Sequence, residues 1–344
     1  MKIKILMLFF FLTAVQLAAQ DNFYSPFQAS LAYPIGTNGI KSKEYTNGVS
    51  INLLLGISKN ERYLTIGGLS NIISNNAVGM QLAGISNHIG GTGYGCAIAG
   101  VANITDSSYK GVQVSGIWNA SGNKTAGVML SCMGNFSKGD FNGLQFSGLI
   151  NIAQDVDGLQ FSGLLNKAQK VRGVQFATIL NIAEESNCPI GLINIIKKGE
   201  MGLAVTYDIL GNTVLSFRSG GKYTYGILGF GINHKIDNDK TVAEAGYGVH
   251  IPIKEWFRID NEVKVSNIGS TTDKSILNAS YLLAPSFKLW NHFNVFGGAS
   301  INYITSKSAA LKSLVPGKTL WNKTKGNREQ YLYLGYQVGI QYIF

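Results

Sequence analysis

The sequence predicts an all-β protein, an outer-membrane antiparallel β-barrel built with about nine β repeats of 15–16 residues. Three observations predict it. One short phrase recurs at a nearly constant spacing, residues along and beyond it alternate between apolar and polar, and the chain ends on an alternating strand with an aromatic last residue. A second all-β arrangement meets the same spacing: a β-solenoid repeat domain attached to a smaller barrel.

The chain opens with Lys2 and Lys4, an apolar run over residues 5–12 and small residues up to Ala19, the parts of a cleaved secretory leader over 1–19. A first strand over 27–35 and a polar link follow, so that 20–47 leads into the repeats. The repeat array covers 48–201. Its clearest copies read GLQFSGLIN (143–151), GLQFSGLLN (158–166) and GVQVSGIWN (111–119). The closing asparagines are Asn71, Asn87, Asn103, Asn119, Asn135, Asn151, Asn166, Asn181 and Asn194. Within a copy, Val112, Val114, Gly116, Trp118 and Ala120 share one side, and Gln113, Ser115, Ile117, Asn119 and Ser121 the other, which is the period of a strand. Polar turn formers such as 105–108 and 121–124 separate the copies.

From 202 to 344 the repeat vanishes and strands of about ten residues take over, the length that a tilted strand needs to cross a bilayer. In one of them Phe257, Ile259 and Val263 alternate with Arg258, Asp260, Glu262 and Lys264, so these four charges are expected to face a lumen. A lysine-rich loop over 305–330 is expected outside or folded over the mouth; over an open pore it would favour anions. The last strand, 331–344, places Leu332, Leu334, Tyr336, Val338, Ile340, Tyr342 and Phe344 on one face. Phe344 is the expected assembly signal, with outer-membrane lipid and the outer-membrane assembly machinery as partners.

Composition agrees with this class. Hydrophobic residues make up 45% and charged ones only 14%, where about a quarter is usual for a globular protein. The formal charge of +10 includes the two leader lysines, and no basic element is interleaved with aromatic residues, so no nucleic-acid partner is expected. Cys96, Cys132 and Cys188 sit inside repeats as small fillers. No nucleophile set, metal-spaced cluster or cofactor loop is present. Asp237 and Asp239 beside His234 lack the oxygen spacing of a calcium loop.

On the segment YPIGTNG (33–39), the G-φ-Q-φ-S/A-G-φ-x-N units and the closing PIGL (189–192), the chain resembles the surface-repeat-containing outer-membrane proteins of Gram-negative bacteria. The resemblance spans nearly all of the mature chain. It implies location and repeat architecture, and it implies no activity. Thr65, Ala97 and Met129 stand where Gln is expected, and Cys132 and Thr178 where Gly is expected, so an unbroken glutamine row is not expected.

The barrel reading rests on strand length and short turns. The solenoid reading rests on the constant spacing and on the aliphatic residue two before each Asn, which would point into a core. The expected function is a non-enzymatic pore or structural scaffold in the outer membrane. The alternative is a surface-displayed solenoid that binds a protein or glycan.

Overall fold

The computed structural model describes residues 23–236, 239–269, 275–308 and 311–344. The expected leader over 1–19 lies outside them, as does Asp237. The architecture is all β: a parallel β-solenoid of about nine turns and a closed antiparallel barrel of eight strands. Two compact units result, Met1–Val156 and Asp157–Phe344.

In the first unit each repeat is one coil: a longer strand, a corner, a shorter strand and a turn. Strand Tyr109–Ser115 pairs in parallel with Gly93–Ala99 on one side and Thr125–Ser131 on the other, so that Gln113 lies opposite Ala97 and Met129. Trp118–Ser121 pairs the same way with Ala102–Thr105 and Gly134–Ser137. The repeats are therefore coils, and the expectation that each crosses a membrane antiparallel to its neighbour is corrected. Identical units at constant spacing meet identical neighbours only in a parallel, in-register stack. Antiparallel pairing would alternate direction and loop from one strand to the next.

The first strand, Tyr24–Ala32, also belongs to this stack. It pairs in parallel with Thr46–Ser58 and not with any barrel strand, and a short 3-10 turn, Gly39–Glu44, occupies part of the polar link.

Alternation alone does not fold a coil, because it must be reset at each bend. Tyr109 points in and Lys110 out; Val112 again points out and Gln113 in. Gly111 sits between them with φ of +135°, and a Cβ there would run into the Gly95 carbonyl one coil below. Only glycine serves at such a bulge. The second corner corrects another expectation. The aliphatic residue two before each Asn lies outside the core, with Leu69 45%, Ile85 44% and Met133 48% exposed.

What fills the core instead is largely polar. Asn71, Asn87, Asn103, Asn119 and Asn135 are buried, and each side-chain amide donates to the Oδ1 of the next, all at 2.9 Å. Each amide also reaches a backbone carbonyl of the next coil, as Asn103 does to Val114 at 2.8 Å. The ladder thus satisfies buried amides and fixes register at once. The glutamine row is broken by the fully buried Ala97 and Met129, as its sequence indicates.

In the second unit the coils end at Ile193–Ile196 and the barrel begins at Glu200–Asp208. Antiparallel neighbours follow in order: Asn212–Gly220, Thr224–Asn233, Thr241–Lys254, Phe257–Ile268, Ile276–Trp290, Phe293–Ser306 and Arg328–Ile343. The last pairs back onto the first, Gly202 opposite Ile343, and closes the barrel, while a short exposed strand, Trp321–Lys325, pairs with the last strand alone. Leu203, Val205, Leu215, Phe230, Val263, Leu283, Val338 and Ile340 face outward and are exposed, while the residues between them face in.

Candidate functional site

Eight strands leave an interior just wide enough for side chains, and here they are charged. Arg218 lies 2.7 Å from Glu262 as an ion pair, with the Arg218 guanidinium 4.3 Å from the centre of the Phe296 ring. The Tyr225 hydroxyl donates to Glu262 at 2.8 Å. Lys264 reaches Glu262 at 3.3 Å and Glu244 at 3.5 Å, and donates to Gln337. Towards one end, His250 Nδ1 is 2.7 Å from Asp260, its ring stacked on Tyr225. Arg258 clamps Glu200 with two hydrogen bonds, at 2.7 and 2.9 Å, and lies 3.1 Å from Asp260. Arg218, Asp260 and Glu262 are completely or almost completely buried. Burying charges is costly unless each is paired, and the network supplies the pairs.

Both ends of this layer are closed. At one, Leu210, Val214, Val242, Ile268, Ile276, Ile304 and Tyr333 form an apolar cluster with Leu311 and Leu314, from a single helical turn in the loop before the last strand. At the other, the last coil of the array abuts the strand ends. Asn166 donates to Asn181 at 3.0 Å and Asn181 to Asn194 at 2.9 Å, and Asn194 donates to the Ser219 carbonyl at 3.0 Å. Thr224 donates to the Pro189 carbonyl at 2.7 Å. The asparagine ladder thus terminates on a barrel strand.

Of the residues singled out from sequence, Asp260, Glu262 and Lys264 lie inside the barrel, and Arg258 sits nearer its end, part-buried. Their partners Arg218, Tyr225, Glu244, His250 and Glu200 come from other strands. Sequence reasoning missed them, although Arg218 follows Val214 and Ser216 on one strand face and the same alternation marks it. Phe344 is exposed, and its amide donates to Met201 at 3.1 Å, at the end where the coil abuts. His234 bonds Thr213 and His292 the Ile343 carbonyl. Among the described residues no group of His, Cys, Asp and Glu is placed to hold a metal ion.

Chemically, this network can hold strands together and block passage. Every charge is turned onto a neighbouring charge or amide. Comparison with protein-family models, curated proteins and solved structures gives no match.

Proposed function

We propose that this chain is a non-catalytic outer-membrane protein whose eight-stranded barrel anchors a β-solenoid that serves as a binding surface. The observation that carries the reading is the inverted polarity of the barrel. Leu203, Val205, Leu215, Val263 and Leu283 face outward while Arg218, Glu262 and Lys264 are enclosed. Water would favour the reverse; lipid favours this one, and the pairing of the last barrel strand onto the first suits it. Trp256, Trp290, Phe293 and Tyr342 are exposed towards one rim, and Tyr207, Tyr303 and Tyr336 towards the other, as the aromatic girdles of a spanning barrel are. The leader expected over 1–19 and the terminal Phe344 agree with export and assembly.

The filled interior favours an anchor over a pore. For the solenoid, the exposed aliphatic column that includes Leu69, Ile85 and Met133 is an apolar surface of the kind that a protein partner covers. Membranes washed with alkaline carbonate test the anchor. The protein should stay with the membrane and, in detergent, run faster on gels unheated than boiled. Release by carbonate without detergent would refute the reading.

A further inference from the structure

The two ends of the barrel are unlike, and the difference carries an orientation. At one end the strand connections are 221–223, 255–256 and 291–292. At the other they are 209–211, 234–240, 269–275 and 307–327. Outer-membrane barrels place short turns in the periplasm and longer loops outside. The chain enters the barrel at Glu200 and leaves it at Ile343, both at the short-turn end. The coils of this unit also pack there, with Asn194 on Ser219, Pro189 on Thr224 and the Asn187 carbonyl accepting from the Tyr223 amide.

We propose that this end faces the periplasm, so that the solenoid meets its partners inside the envelope and not on the cell surface. The inference rests on the membrane-anchor reading and names the compartment of its partner. Two further features agree. The long loop carries Lys307, Lys312, Lys318, Lys323 and Lys325, all exposed, a cationic cap suited to the phosphate-rich outer leaflet. The barrel interior is packed with the Arg218–Glu262–Lys264 network, which leaves no path for an array of coils to pass outward. An array that stays in the periplasm needs none.

Single cysteines test the orientation in living Gram-negative cells, in a background with Cys96→Ser, Cys132→Ser and Cys188→Ser. Arg172→Cys reports on the coils and Lys318→Cys on the long loop; both native side chains are exposed. A membrane-impermeant maleimide should label position 318 on intact cells, and position 172 only after the outer membrane is permeabilised. The pair Lys167→Cys and Lys323→Cys, at further exposed sites, repeats the measurement should either variant fold poorly. Labelling of 172 but not 318 on intact cells, with the protein still resisting carbonate, would overturn the orientation and leave the anchor standing. Equal labelling of both sites, with release by carbonate, would overturn the anchor and the orientation together.

Discussion

Single side chains show how this protein tolerates polar groups in its interior, and Glu61 shows the cost. It is buried among Asn47 and Ser50, which donate to it at 3.1 and 2.8 Å. Burial raises its pKa from 4.5, and the hydrogen bonds oppose the shift without cancelling it. A carboxyl with a raised folded-state pKa binds its proton more tightly when folded. The Glu61 contribution to the first unit's stability is therefore fully present below pH 4.5 and is lost as pH rises through the folded value. Glu61→Gln should flatten this dependence, read as hydrogen exchange of strands Thr46–Ser58 and Asn60–Gly67 against pH. An unchanged slope would assign the dependence elsewhere. In the barrel, Glu262 is ringed by Arg218, Lys264 and Tyr225. Glu262→Leu leaves Arg218 buried without its main partner and should cost about 3–5 kcal/mol in urea unfolding from micelles. Adding Arg218→Met should recover much of that loss, and equal costs for the single and double variants would contradict the pairing.

Among the elements, the coil depends on two columns with different jobs. The glycine column resets the alternation, and the asparagine column holds successive coils in register. Asn119 receives the Asn103 amide and donates to Asn135 and to the Leu130 carbonyl. Asn119→Ala should destabilise the coil by about 1–3 kcal/mol through the unpaired groups left behind. Lys124→Ala removes only an exposed pair with Asp140 and should stay within about 0.5 kcal/mol. Local hydrogen exchange distinguishes the two, and equal effects would count against the ladder. Much of this was legible in the sequence. Gln113, Ser115 and Asn119 against Val112, Val114 and Trp118 is the observed split into interior and surface. The pairing direction was not, because alternation is the same in parallel and antiparallel sheets; the constant spacing was the signal that favoured coils. Ile117 was assigned to the Asn side because strict alternation carries through Gly116, whereas the chain turns a corner there and leaves Ile117 outside. In the barrel, one strand displayed Asp260, Glu262 and Lys264, yet Arg218, Tyr225 and Glu244 were hidden as partners. Register across a closed sheet is set by closure, which no single segment encodes.

For the molecule as a whole, the repeats and the barrel solve the same problem in two ways. Both give their strand backbones neighbours to bond, one by stacking coils and the other by joining the first strand to the last. Because the interior is closed by an apolar cluster, a charge network and the last coil, purified protein inserted into planar bilayers should show no steady conductance. Stepwise ion currents would reveal an opening through these layers. Distances along one column distinguish stacked coils from membrane-crossing strands. Ile72, His88, Ile104, Ala120 and Phe136 are successive register partners. Spin labels at 72 and 136, and at 72 and 120, in a background without the native cysteines, give those distances by pulsed electron resonance. For stacked coils the separations grow by about 4.8 Å for each added coil. Separations that fail to grow along the column would contradict the stacking.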